Sequence, residues 1–340
     1  MPETIPHDSG RFRDTGLLAL FSSLWLIALV LVPQFLLAKQ LEALSPTMLN
    51  LISIGLELLS ALPAILYVAI KRQRLSILLR PAEAGQVVAG GFVGFLIVPV
   101  SIALSLVMAT FITMTGGNIF QEAAAESPRL TAGQVAAAFL AISVAAPLVE
   151  EFEFRGVILR GQAGVLPHTV AVLLTGLLFT MEHGRFAGFP SILMGGLVLT
   201  FLAVRSGSIW PSVAAHCAYN TSLLILQVIA AFVSQQVSSW PEPMVLPPPV
   251  SMDGLLPTLD LAAATIVWVC IAMPYALSAA VVLWAFARYT NKAGLEEPHV
   301  AQSGNGLRAA WPWAAAFAVL LGYLALDVLQ LYGIIEIIPK

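Results

Sequence analysis

Charge and cysteine are scarce in this chain. Only 10% of its 340 residues are Asp, Glu, Lys or Arg, against about 25% in soluble domains, which excludes an ordinary water-soluble surface. The two cysteines, Cys217 and Cys270, are too few for a disulfide framework or a thiolate metal site. Both stand in apolar runs, where cysteine is commonly an inert buried thiol. The net charge of −3, with no basic run interleaved with aromatics, excludes the electrostatic footprint of a nucleic-acid binder. No internal repeat is present, and no His-Glu-x-x-His pair occurs, so the helical zinc-peptidase motif is absent.

What the chain has is long apolar runs. Hydrophobic residues make up 59% of it and the mean hydropathy is +0.89. This composition predicts an all-α, polytopic transmembrane helical bundle in a multi-pass integral membrane protein. A spanning helix needs about 20 mostly apolar residues, and about nine segments qualify: 15–38, 48–70, 86–114, 132–161, 167–183, 189–205, 210–233, 261–287 and 311–335. The first is about twice the length of a secretory h-region and follows a leader containing acids, so it is expected to be retained as a helix.

Lys and Arg set the orientation. With the N-terminus in the cytoplasm, twelve cations fall on the inner side and four (Lys39, Arg129, Arg185, Lys340) on the outer. The expected organisation is a cytoplasmic tail, 1–14; a transmembrane core, 15–233; a proline-rich external loop, 234–260; and appended C-terminal helices, 261–340, joined to each other by a flexible polar cytoplasmic connection at 289–310.

The fourth segment ends in Glu150-Glu151-Phe152-Glu153-Phe154-Arg155, after a charge-free run from Ala132 to Leu148. A charged side chain at bilayer depth costs about 2.5–3.5 kcal/mol on the mildest scale, so such a cluster signals function. Glu151 and Arg155, Phe179 and His183, and His216 and Asn220 are each four apart, and therefore share helix faces. From a rise of about 1.5 Å per residue, Glu150 lies about 16 Å and His183 about 24 Å from the turn joining the fourth and fifth segments. With tilt, the cluster on the fourth, fifth and seventh segments can share one layer. A carboxylate and an imidazole around one water can act as base and hydrogen-bond partner. A second imidazole and an amide can stabilise an oxyanion. These are the parts of a hydrolase that splits amide bonds without a Ser or Cys nucleophile.

Glu-Glu-x-x-x-Arg at 150–155, Phe-x-x-x-His at 179–183 and His-x-x-x-Asn at 216–220 resemble, in order and spacing, the motifs of the CPBP intramembrane proteases, relatives of the type II CAAX prenyl endopeptidase. The resemblance covers about 131–225. It implies an endopeptidase acting on a membrane-associated protein or peptide, prenylated or otherwise anchored, with the lipid bilayer as its setting. It also implies that Glu150 and His183 activate a water, that His216 and Asn220 form the oxyanion site, and that Glu151, Arg155 and Phe179 support them. No cofactor is expected, although a Glu-His-His metal site stays geometrically open. Glu153 departs from the family, which commonly has an apolar residue there, and Glu182 beside His183 is unusually acidic. Glu57 and Asp327, in the second and ninth segments, either line a pathway or pair with polar groups, and pairing is the favoured reading. A non-catalytic scaffold, chaperone or immunity or regulatory protein on the same fold is the competing class, and a transporter is the third.

Overall fold

The computed structural model describes residues 9–42, 44, 46–118, 131–163, 165–238, 255–290 and 306–335. These form an all-α bundle with no strand among them. Eight helices are long and apolar enough to cross a membrane. We number the helices α1 Ser9–Glu42, α2 Leu51–Ile70, α3 Ala84–Met114, α4 Ala132–Gln162, α5 His168–Glu182, α6 Phe189–Ser206, α7 Trp210–Ser238, α8 Leu255–Tyr289 and α9 Gly306–Leu331. The nine segments read from the apolar runs thus correspond one to one with helices.

Differences lie at the ends and within two helices. The helix leading into α2 begins at Pro46 and is interrupted at Ala61, just before Pro63. The helices α7, α8 and α9 extend into stretches expected as loops, reaching Ser238, Leu255 and Gly306. The centres of those loops, 239–254 and 291–305, and the first eight residues of the tail lie outside the described residues. With 15 residues, α5 is about 22 Å long, short of the ~30 Å hydrocarbon core. Its C-terminal end therefore stops at membrane depth, where irregular backbone is tolerated only inside protein or beside a cavity.

The helices α3 and α7 pack along each other, with α8 on the other flank of α3 and α9 along α1. Gly90 and Gly94 permit the first contact: a Cβ there would come within 2.2 Å of the Pro211 carbonyl and 2.0 Å of the Ala215 carbonyl. Small residues four apart are the usual device for close helix approach in lipid. Polar side chains add to it: Ser101 pairs with Tyr219, Ser105 donates to Ser191 at 3.0 Å, and Thr110 pairs with Thr265 at 2.8 Å. The helices α5 and α6 form a hairpin with a close but looser approach, where a Cβ on Gly176 would come within 2.8 Å of Leu197.

One end of the bundle gathers the cations. Arg160 donates to the Gly207 carbonyl at 3.0 Å, Ser208 donates to the Arg80 carbonyl at 2.6 Å, and Lys71 pairs with Asp14. Trp313 donates from Nε1 to the Phe12 carbonyl and stacks on its ring, fixing α9 to α1 at the same end.

Candidate active site

The helix α4 is not a regular α-helix. Two π segments, Phe139–Ala145 and Phe152–Ile158, bracket the α-helical Ala146–Glu151 that carries the paired glutamates. Single-turn π-bulges are rare and concentrate at functional sites. The first has a sequence cause. The Ala146 N–H reaches the Ala141 carbonyl, five residues back. The next bond in that pattern would run from residue 147 to the Ile142 carbonyl, but Pro147 has no N–H. Asn220 of α7 supplies the donor instead, Nδ2 to Ile142 O at 2.8 Å. The irregularity of α4 and the placing of α7 are thus one feature.

Behind the cluster sits Arg155, 1% exposed. It donates from Nη1 to Glu151 Oε1 at 2.9 Å, from Nη2 to the Gly196 carbonyl at 3.0 Å, and from Nε to Thr200 at 3.3 Å. Its guanidinium lies 4.5 Å from the centre of the Phe179 ring. That ring also contacts both imidazoles, His183 at 4.6 Å and His216 at 5.9 Å between centroids. Phe179 is therefore a shared wall that sets the position of three site residues.

Both histidines are orientated through Nδ1. In His216, Nδ1 lies 3.0 Å from Glu151 Oε1, the oxygen that Arg155 also holds. In His183, Nδ1 lies 2.8 Å from the Phe179 carbonyl. A carbonyl and an ion-paired carboxylate are acceptors, so each Nδ1 carries the proton. Where the ring carries no second proton, Nε2 is then free to accept. His216 Nε2 is 3.8 Å from Glu150 Oε2, and Oε2 has no hydrogen-bond partner among the described residues.

Glu150, His183, His216 and Asn220 line one cavity of about 380 Å³, walled by apolar residues such as Ile97, Ile142 and Leu199. This volume falls in the range of small-ligand sites. A second, more polar cavity of about 180 Å³ adjoins it, and Glu57, Glu150 and His183 border both. Its remaining lining includes Ser22, Glu153, Glu182 and Tyr323. Glu57 lines both cavities beside Glu150, the less favoured of its two readings. Asp327 is a pairing residue: it accepts from the Phe186 N–H at 2.7 Å, tying α9 to the loop after His183.

Sequence reasoning missed the backbone carbonyl of Gly196, the hydroxyl of Thr200, the two π segments and the second cavity. Pro147, just before a charged cluster in an apolar helix, was the available signal for the first π segment. The hydroxyls and the second cavity had none, because they depend on which helices are neighbours. Among the described residues no group of three His, Cys, Asp or Glu is arranged to hold a metal ion.

The fold and cluster define a multi-pass integral membrane protein with carboxylates and imidazoles around an internal cavity. Residues 132–222 match the family model of the type II CAAX prenyl endopeptidase, Rce1-like proteins. The match runs from the start of α4 into α7 and contains all seven residues singled out from the three motifs. The family that this stretch matches is one of CAAX-protease-type hydrolases. No curated protein and no solved structure matches the chain.

Proposed function

We propose that the chain is an intramembrane endopeptidase that hydrolyses a peptide bond of a membrane-associated protein or peptide, using a water activated by Glu150. The observation that carries this reading is the shared cavity, where Glu150 Oε2 and His216 Nε2 stand 3.8 Å apart with the fixed His183 ring on the same wall. A water capping that gap lies within hydrogen-bond reach of both atoms. Glu150 takes its proton as the oxygen attacks the carbonyl carbon. His183 Nε2 accepts the water's second hydrogen and orientates its lone pair. The oxyanion that forms is met by the second N–H of Asn220, since only one is committed to Ile142. It is also met by the Nε2–H of His216 where the ring enters the reaction as an imidazolium and turns that N–H from Glu150 to the oxyanion, a proton His216 keeps throughout. Glu150 then returns the proton to the departing amine, giving one carboxylic acid and one amine from amide and water.

Glu151, Arg155 and Phe179 are positioning residues in this scheme, holding His216 and His183 without touching substrate. The apolar wall of the larger cavity suits a lipid-anchored or extended hydrophobic chain. We also place the N-terminus in the cytoplasm, on the gathering of Arg80, Arg160 and Lys71 at one end of the bundle and the positive-inside rule.

The test is cleavage of a membrane-tethered peptide library by the purified protein in detergent, comparing wild type, Glu150→Ala and His183→Ala with and without a chelator. The expected result is cleavage that both substitutions abolish and the chelator spares. Loss with chelator and recovery with a divalent ion would replace the carboxylate-only scheme by a metal-assisted one. Identical cleavage by all three proteins would overturn the site.

A further inference from the structure

The second cavity shares Glu150 and His183 with the site above, yet it also gathers buried carboxylates that the chemistry does not use. Glu57, Glu150, Glu153 and Glu182 all border it, drawn from α2, α4 and α5. Glu153 is 5% exposed and Glu182 is 8% exposed. Ser23 donates to Glu182 at 3.1 Å. Glu153 faces Ser22, 3% exposed on the same wall, yet Glu153 Oε1 and Ser22 Oγ complete no well-formed hydrogen bond among the described residues. Buried polar atoms are normally paired, and those that are not call for an explanation.

No cation among the lining residues answers these carboxylates. The nearest guanidinium in α4, Arg155, has all three nitrogens engaged with Glu151, Gly196 and Thr200. A pocket built only to hold water needs hydroxyls and carbonyls, not four carboxylates at membrane depth. Carboxyl groups in such a place either hold their protons and stay neutral or ionise against an opposite charge. The cavity is also shaped for a long cationic side chain: Leu26, Val30 and Phe154 offer an apolar wall for a methylene stem, with the charged head at the carboxylates. It meets the larger cavity at Glu57, Glu150 and His183. A side chain entering from a peptide in the larger cavity therefore belongs to a residue close to the scissile bond.

We infer that the cavity among Ser22, Glu57, Glu153 and Glu182 is a specificity subsite for a lysine or arginine side chain of the substrate, next to the bond cleaved at Glu150. The inference rests on the endopeptidase reading and extends it to a substrate class. Glu153 and Glu182 are its specificity-determining residues, and Ser22 completes the cradle.

The test uses matched tethered peptides carrying lysine or the uncharged isostere norleucine at each position within three residues of the cleaved bond. For wild type, kcat/KM should favour lysine by at least tenfold at one position. In Glu153→Gln/Glu182→Gln that ratio should fall towards one, and Ser22→Leu, which fills the cavity, should lower it as well. Glu153→Asp/Glu182→Asp should restore much of it. A second measurement does not need turnover. n-Butylammonium should raise the thermal unfolding midpoint of wild type saturably, n-butanol should not, and the glutamine variant should lose the response. Cleavage with no lysine preference and no ammonium response overturns the subsite and leaves the peptidase standing. An ammonium response without any Glu150-dependent cleavage overturns the peptidase, and with it the pocket's role as a substrate subsite. Equal responses in wild type and the glutamine variant overturn the assignment of the carboxylates.

Discussion

Replacing Arg155 with Met removes a guanidinium that is 1% exposed and strands Glu151, 0% exposed, without its counter-ion. Breaking a buried pair from one side costs about 3–5 kcal/mol, because the surviving charge keeps its burial and loses its partner. Replacing Glu151 with Met as well removes that charge. The Gly196 carbonyl stays satisfied, since Thr200 donates to it at 2.7 Å. What remains is the His216 Nδ1–H without its acceptor, an orphan donor worth about 1–3 kcal/mol. The double variant should therefore be about 2 kcal/mol more stable than Arg155→Met, the difference between those two ranges. Activity should not follow stability. In the double variant His216 has lost the acceptor that orientates its ring, and in Arg155→Met that acceptor has lost the guanidinium that holds it, so Glu150-dependent cleavage should stay at least tenfold below wild type in both. Equilibrium unfolding in mixed micelles of rising dodecyl sulfate content reads the first quantity, and peptide cleavage reads the second. A double variant no more stable than the single one would refute the buried-pair reasoning. One that cleaves at the wild-type rate would refute the positioning role.

Much of this architecture was legible before any coordinate, and for physical reasons. Apolar run length is fixed by bilayer thickness, so nine segments became nine helices, and spacing of four fixed which residues share a face. What the chain could not reveal is how faces meet. The pairing of Glu151 with Arg155 lies within one helix and could be anticipated. The 3.0 Å contact of Glu151 with His216 depends on α7 lying against α4, which local pattern does not encode. Glu57 shows the same limit: one carboxylate in an apolar helix reads as a paired group until α2 is seen to face the cavity at Glu150. The appended α9 is a sharper case. Nothing in its sequence points to the site, yet Tyr323 lines the second cavity and Asp327 anchors the loop after His183.

Three further outcomes follow from the packing. Gly94→Ala drives a methyl into the Ala215 carbonyl, within 2.0 Å, and because backbone cannot yield as a side chain does, the expected loss is about 1–3 kcal/mol, with cleavage reduced as α7 and His216 shift. Thr110→Val removes a hydroxyl pair between α3 and α8; unfolding should show a loss of about 0.6 kcal/mol and cleavage at the wild-type rate, since the pair lines neither cavity. The last concerns Pro147 and Asn220. Asn220→Ala leaves the Ile142 carbonyl without the donor that Pro147 cannot provide, at about 1–3 kcal/mol. Pro147→Ala restores an N–H at the position from which the π pattern would serve that carbonyl. In the Pro147→Ala background, Asn220→Ala should therefore cost less than half as much in micellar unfolding, while cleavage, which also uses the second N–H of Asn220, should fall equally in both backgrounds. An unfolding cost that is the same with and without the proline would mean that Pro147 is not the reason Asn220 reaches across to α4.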